Sequence, residues 1–285
     1  MKVGYLGPRG SFTYAAAHQF FSAKVLTPYE SLTALLEAQR RREIDYCVVP
    51  IENTIEGSVL PTLDLIFKTL PTIQAEIVLP IQQQLMVHPD HQEDWERTTL
   101  ICSHQQALAQ SQNFILEHFP TVDIEQMGST ALGAQKVAEH PENNYAAIGS
   151  REAATQFGLT IVQENIQSIE TNETRFWVLG TQPIQSDLVF EKRKATILFD
   201  LAQDHPGALY KGLAFFAEEK INLTKIESRT RKTKLGEYFF IIDLEVPTGN
   251  KLTTVLQRLN QEKFTVKLIG NYPTYLTKKL ENLSS

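Results

Sequence analysis

KVGYLGPRGSFTYAAAHQFF, residues Lys2 to Phe21, places an apolar strand and a helix on either side of one glycine-rich turn. Lys2 to Leu6 reads as the strand, and Gly7 to Gly10 supply the turn. Ser11 stands where a helix N-cap belongs, and Phe12 to Phe21 carries the Ala and aromatic residues of a buried helix. Ala23 to Thr27 reads as a strand, Ser31 to Arg41 as a helix and Tyr46 to Pro50 as a third, fully buried strand. This is a βαβαβ unit, and its strands are expected to be parallel because each helix carries the chain back to the same end of the sheet.

The order recurs from Thr98. Thr98 to Cys102 reads as a strand, Ala107 to His118 as a helix, Val122 to Gln126 as a strand, Ala131 to Glu139 as a helix and Tyr145 to Ile148 as a strand. Ile73 to Val87 lies between the two lobes, with β-branched runs suited to crossing strands, and Trp177 to Gly180 returns the chain toward the first lobe. Ser11, Ser31, Ser103 and Ser129-Thr130 all stand where a strand hands over to a helix. At that position a side-chain oxygen satisfies an orphan amide. Helix N-termini carry about half a positive charge and free N–H donors, so several aimed into one crevice bind carboxylates. In open parallel sheets that crevice lies beyond the carboxyl ends of the strands.

Composition narrows the function. The 285 residues suggest two domains, and 42% hydrophobic with 21% charged residues is ordinary globular chemistry. A net charge of −6 without a long Lys/Arg run argues against nucleic acid and against a basic membrane surface, so an anionic ligand must be held by local features. There is no charged segment followed by an apolar core at the N-terminus and no apolar run of membrane length, which gives a cytoplasmic expectation. Cys47 and Cys102, each in an apolar run, read as buried thiols of a reducing compartment.

Several site types are disfavoured. Gly4, Gly7 and Gly10 miss the dinucleotide fingerprint. His88-Pro89-Asp90-His91 is more simply a turn than a metal site, since further ligands are missing. His104 beside Ser103 lacks the orienting third group of a hydrolase triad and reads equally as a cap or a packed histidine.

The run Thr171-Asn172-Glu173-Thr174-Arg175-Phe176-Trp177 places a hydroxyl and a guanidinium where a polar loop becomes an apolar strand. Such a pair suits an anion that must lose an oxygen. It is also what a strand start looks like when its Arg covers a neighbouring carboxylate.

Thr181 to Arg193 interrupts the periodicity and marks a boundary. Beyond it, strand Ala195 to Leu201, helix Ala208 to Glu219, strand Asn222 to Arg229, a Lys/Thr/Gly turn, strand Glu237 to Val246, helix Lys251 to Gln261 and strand Phe264 to Tyr272 follow the ferredoxin-like βαββαβ order. The basic run Lys225 to Lys234 reads as a solvated hairpin.

Separated motifs carry a resemblance over nearly the whole chain: Gly7-Pro8-Arg9-Gly10-Ser11-Phe12, Val49 to Ser58, Ser103 to Gln110, Ser129-Thr130-Ala131, Ala147-Ile148-Gly149-Ser150 and Thr174-Arg175-Phe176. Together, in this order, they resemble the prephenate dehydratases. The resemblance implies an α/β fold: a two-lobed, periplasmic-binding-protein-like catalytic domain over residues 1–181, with lobes of about 1–75 plus 175–181 and 80–172, followed by a ferredoxin-like ACT domain over residues 194–272. No mutase-like helical segment precedes the first strand, so the monofunctional form is expected.

The implied reaction converts prephenate to phenylpyruvate with loss of carbon dioxide and the ring hydroxyl, in L-phenylalanine biosynthesis, and needs no metal or organic cofactor. By resemblance, Thr174 hydrogen-bonds the departing oxygen, Asn53, Ser103 and Gln110 are polar cleft contacts, and Ser11, Ser129, Thr130 and Phe176 contact substrate. Arg175 either counters a carboxylate or forms a structural ion pair. Glu52 and Glu56 would repel a dianion and read as structural or interface residues.

Gly207-Ala208-Leu209 and Glu227-Ser228-Arg229 resemble the phenylalanine-binding motifs of ACT domains, which pair side by side, so a homodimer or homotetramer inhibited by L-phenylalanine is expected. A purely dimerising domain is the alternative. Gln105 and Thr230 each replace a proline usual in the family. Arogenate, with an amino group for the keto group, is the rival substrate. A non-catalytic two-lobed binding protein and an amino-acid sensor are rivals of other classes. Thr174-Arg175-Phe176 weighs against the first, and the lack of a DNA- or partner-binding segment weighs against the second.

Overall fold

The structure, a computed structural model, describes residues 1–201, 205–230 and 238–277. The chain divides into two compact units, one of Met1–Thr69 with Ile77–Val178 and one of Leu70–Glu76 with the residues from Leu179 onward. Among the described residues no helix is long and apolar enough to cross a membrane.

The first unit opens with β1 (Val3–Leu6), α1 (Phe12–Phe20), β2 (Leu26–Tyr29), α2 (Leu32–Arg40) and β3 (Tyr46–Asn53). β1 pairs in parallel with both β2 and β3, as the βαβαβ reading requires. The strand expected from Ala23 begins later, because Ala23–Val25 forms a 3₁₀ turn in which the Ser22 hydroxyl accepts from the Lys24 amide. A hairpin strand, β4 (Gly57–Ser58), and an unforeseen helix, α3 (Leu60–Thr69), follow, and β5 (Ile73–Pro80) leads out of this lobe.

The second lobe comprises β6 (Gln84–Val87), β7 (Leu100–His104), α4 (Gln105–Gln110), α5 (Gln112–His118), β8 (Asp123–Met127), α6 (Thr130–Glu139), β9 (Tyr145–Gly149), α7 (Arg151–Phe157) and β10 (Thr160–Gln163). Its sheet order is β10-β6-β9-β7-β8, with β7 parallel to β8 and β9, and β6 antiparallel to β9. Alternation along these strands feeds two cores. Leu85, Val87, Ala146 and Ile148 pack with α4 and α5 residues on one face, while Met86 and Ala147 pack with Ala134, Val137, Ala153 and Ala154 on the other. Two covered faces explain why the strands read as continuous apolar runs.

The single helix expected from Ala107 to His118 is two helices, broken at Ser111, whose φ of −105° and ψ of 12° leave helical values. β11 (Glu173–Gly180) then returns to the first lobe, where the sheet order is β2-β1-β3-β11-β5.

In the second unit β12 (Val189–Asp200), α8 (Ala208–Glu218), β13 (Leu223–Thr230), β14 (Tyr238–Glu245), α9 (Lys251–Gln261) and β15 (Thr265–Leu276) give the expected βαββαβ order, with sheet order β13-β14-β12-β15. β12 starts inside the stretch expected as a boundary, since Val189 and Phe190 pair with Leu276 and Tyr275 of β15. Leu252, Val255 and Leu259, spaced on one helical face of α9, pack with Ile197, Phe199, Ile242 and Leu244. Of the basic run Lys225 to Lys234, the part beyond Thr230 lies outside the described residues, as does Glu237 at the expected start of its strand.

Leu70–Glu76 belongs to this unit through specific contacts. A Cβ on Gly270 would lie 2.7 Å from Cβ of Ile73, and the fully buried Glu76 accepts a 2.6 Å hydrogen bond from Lys194 Nζ.

Candidate active site

Three helix N-termini line a cavity of about 350 Å³ in the first unit, and the sequence dictates each of them. The Ser11 hydroxyl accepts from the Tyr14 amide at 3.2 Å and caps α1. The Ser129 hydroxyl accepts from Leu132 at 3.1 Å and caps α6. Ser11, Phe12 and Thr13, and likewise Ser129 and Thr130, face the cavity, so both helices present their positive ends to it. α6 can lie this close to its sheet because residue 133 is glycine. A Cβ there would come within 2.5 Å of the Cys102 carbonyl oxygen.

At α4 the cap is His104, whose Nδ1 accepts from the Gln106 amide, rather than Ser103. Ser103 is a strand residue, fully buried, and its hydroxyl donates to the Ile148 carbonyl at 2.5 Å. It therefore ties β7 to β9 and is not a cleft contact in this structure. It also shares no helix with Gln110.

Ser150, from the Ala147 to Ser150 motif, supplies a cap that the sequence reading did not assign. Its hydroxyl accepts from the Ala153 amide and donates to the Gly10 carbonyl at 2.7 Å, which joins the first-lobe turn to the second lobe. Gly10 itself sits at φ +86° with Ala153 Cα 3.0 Å from where a Cβ would be, so only glycine fits both demands.

The polar floor is a chain of side-chain amides. Asn53 Oδ1 accepts from the Ile55 and Glu56 amides at 3.0 and 3.1 Å, which turns its Nδ2 toward Asn172 Oδ1 at 2.7 Å and Thr174 Oγ1 at 2.9 Å. Asn172 Nδ2 in turn donates to Gln110 Oε1 at 3.1 Å, and Gln83 Nε2 donates to the same oxygen at 3.1 Å. Thr54 pins the loop from the other side, accepting from the Glu173 amide at 3.0 Å. Thr174 stands at the start of β11, 8% exposed, and with a lone pair already engaged by Asn53 its hydroxyl hydrogen is available to a group in the cavity.

Ser11, Asn53, Gln110, Ser129, Thr130, Thr174 and Phe176 are thus brought to one cavity, and Ser103 and Arg175 are not. Arg175 points elsewhere, where its Nη1 donates to Glu52 Oε2 at 2.5 Å. This satisfies the ion-pair alternative and accounts for Glu52 as well. Glu56, Gln83 and His104 join the lining, and none of the lining residues is Lys or Arg. Arg9 lies in an adjoining hollow that shares Gly7, Gly128 and Ser129 with the cavity. Among the described residues no group of His, Cys, Asp or Glu is placed to hold a metal ion.

The family model for prephenate dehydratase matches residues 3–184 and the model for the ACT domain matches residues 195–262. The chain belongs to the prephenate dehydratase family.

Among relatives, the prephenate dehydratase of Lactococcus lactis subsp. lactis (strain IL1403) is 40% identical over 278 residues, covering 96% of this chain and 98% of that one. The prephenate dehydratase of Bacillus subtilis (strain 168) is 39% identical over 283 residues, covering 96% and 99%. A solved prephenate dehydratase from Arthrobacter aurescens, in complex with L-Phe, superposes with a TM-score of 0.81 at 32% identity, covering 95% of this chain and 89% of that one.

In this member of the prephenate dehydratase family the ACT motifs fall on two elements. Gly207 caps α8 at φ +84°, Ala208 is buried and Leu209 packs against the core. On β13 alternation separates the second motif. Lys225, Glu227 and Arg229 share a half-buried face, with Glu227 carboxylate oxygens 3.4 Å from Lys225 Nζ and 3.7 Å from Arg229 Nη1, while Ser228 faces the other way and is exposed.

Proposed function

We infer that this chain is a prephenate dehydratase, and that the hydroxyl of Thr174 acts on the leaving oxygen. The observation that carries this is the hydrogen bond from Asn53 Nδ2 to Thr174 Oγ1, which fixes the threonine in a cavity fed by the N-termini of α1 and α6. Those two helix ends suit the carboxylates of the substrate, a role that the absence of Lys and Arg among the lining residues leaves to backbone dipoles.

In the reaction, prephenate dianion and one proton give phenylpyruvate monoanion, carbon dioxide and water. The electron pair of the breaking carbon–carboxylate bond enters the ring as the hydroxyl departs with the proton. Aromatisation drives the process. The protein's task is to hold both ends of the substrate and to hydrogen-bond the oxygen more strongly as its bond to the ring breaks. Threonine is too weak an acid to be the net source of the proton, so Thr174 orients and transmits it.

Residues 1–181 carry the catalysis in this reading, and residues 194–272 form the regulatory domain. L-phenylalanine binds at Gly207-Ala208-Leu209 and the Glu227-Arg229 face, and slows the enzyme. Side-by-side pairing of these domains makes a homodimer or homotetramer. The two buried, free cysteines support a cytoplasmic enzyme. The test is purified protein with prephenate and, separately, arogenate, each with and without L-phenylalanine. Phenylpyruvate absorbance from prephenate, falling with phenylalanine, is expected. Product from arogenate alone would reassign the substrate, and no product from either would sink the reading.

A further inference from the structure

Gln83 belongs to no motif singled out in the sequence. It lies in the crossing between β5 and β6, is 2% exposed, and lines the same cavity as Thr174. Its backbone is fully engaged, the amide donating to Gln167 Oε1 at 2.8 Å and the carbonyl accepting from Ile166 at 2.9 Å. Its side-chain Nε2 goes to Gln110, while Oε1 is buried and has no donor among the described residues.

The orientation of that amide is not arbitrary. Two backbone N–H groups fix Asn53 Oδ1, which forces its Nδ2 onto Asn172 Oδ1. The Asn172 Nδ2 group must then face Gln110 Oε1, and a Gln110 oxygen demands the nitrogen of Gln83. Reversing Gln83 would set oxygen against oxygen. The atom left over is therefore an acceptor, and what it can take from a ligand is an N–H or O–H hydrogen.

We propose that Gln83 Oε1 accepts the hydrogen of the substrate's ring hydroxyl, aiming that oxygen's lone pair at Thr174. This rests on the reading of the cavity as a prephenate site. Ionised prephenate carries two carboxylates and a keto group, so its ring hydroxyl is its sole hydrogen-bond donor, matched here by a buried unpartnered acceptor. As the carbon–oxygen bond breaks and the oxygen gains its proton, the original O–H becomes a stronger donor. The Gln83 contact then tightens in the transition state.

The test compares wild type with Gln83→Met, which keeps the side chain's length and removes the acceptor. With prephenate, kcat is expected to fall about 10- to 100-fold with KM within about threefold, the pattern of an interaction realised in the transition state. Inhibition by phenylpyruvate, which lacks the hydroxyl, is expected to stay within about threefold. Unchanged kcat, or a loss of phenylpyruvate affinity matching the loss in kcat/KM, would overturn the proposal, the second by showing that Gln83 only props Gln110.

Should Gln83→Met not fold, Thr174→Val gives the readout. In that variant a saturated-ring dicarboxylate analogue bearing the ring hydroxyl is expected to bind at least about fivefold tighter than the same analogue without it, because one partner of the hydroxyl remains. Equal binding would overturn it. A wild type inert toward prephenate defeats the functional reading itself, whereas an active wild type with an indifferent Gln83→Met defeats this inference alone.

Discussion

Asn53 Nδ2 lies 2.9 Å from Thr174 Oγ1, although the two residues are 121 positions apart in the chain. The asparagine is itself aligned by two backbone amides, so the threonine is held by a side chain that cannot turn away. Removing the hydroxyl takes away one acceptor of that amide, which keeps Asn172 Oδ1 and the Glu173 carbonyl, and so leaves the floor in place while deleting the group that meets the substrate. Thr174→Ala is expected to lower turnover by on the order of 10² to 10⁴, and Thr174→Ser to recover a substantial part. Near-wild-type turnover in the alanine variant would take Thr174 out of the chemistry.

Asn172 touches both Asn53 and Gln110 and so joins the two lobes' contributions to the floor. Asn172→Ala removes the hydrogen bonds to Asn53 and Gln110 at once, while Asn53 keeps Thr174 and Gln110 keeps Gln83, for a loss of about 1 to 3 kcal/mol in stability or transition-state binding. Denaturant melts and kcat/KM measured on the same sample would apportion it. No change in either would mean the chain of amides contributes nothing.

Arg175 and Glu52, with side chains 15% and 28% exposed, form a partly buried ion pair. Arg175→Gln is expected to destabilise the fold by about 2 kcal/mol, with part of that recovered by adding Glu52→Gln, since loss of the guanidinium leaves the half-buried carboxylate less well compensated. If instead KM rises tenfold with an unchanged melting midpoint, the arginine binds substrate.

Neither thiol is accessible. Burial pushes Cys102 up to about 11 and raises Cys47 as well, and both side chains are fully buried. A thiol reagent at pH 8 is expected to leave the native protein unlabelled, and to modify two thiols per chain after unfolding. Labelling of the native enzyme within minutes would contradict this.

Gly207 adopts φ +84°, and among the described residues nothing lies within 4 Å of where a Cβ would sit, so a substitution there acts on them through the backbone and not through a clash. Gly207→Ala costs about 1 kcal/mol in that conformation and is expected to raise the phenylalanine concentration for half-inhibition by about fivefold or more. An unshifted inhibition curve would separate the glycine from the effector site.

The sequence makes the elements legible wherever one residue's neighbours decide its fate. Ser11 and Ser129 cap helices because the amide they satisfy is three residues away. The same reasoning fails at Ser103, whose partner is the Ile148 carbonyl, 45 positions on and reached only when β7 and β9 align. Asn172 stood inside the Thr171 to Trp177 run without a role, since its function is to meet residues of the other lobe. Gln83 was one of three consecutive glutamines, Gln82 to Gln84, and nothing local says which of them turns inward. The carboxylate that Arg175 meets, Glu52, lies on another strand and is likewise invisible from the local run. What remained illegible was pairing at a distance, which is where most of the site resides.

The pairing of Glu76 with Lys194 bears on how such an enzyme can be altered by gene rearrangement. Glu76 sits early in β5, far ahead of the second unit's other strands in the chain, yet Lys194 lies on β12. A chain ending near Gly180 would keep β5 but lose β12 and β15, and with them the Lys194 and Thr274 partners of Glu76 and the cover over Ile73. The second unit is thus not a tail that deletion can shed cleanly. The cut would bare the edge of β5, a row of unpaired backbone groups open to pairing with another chain.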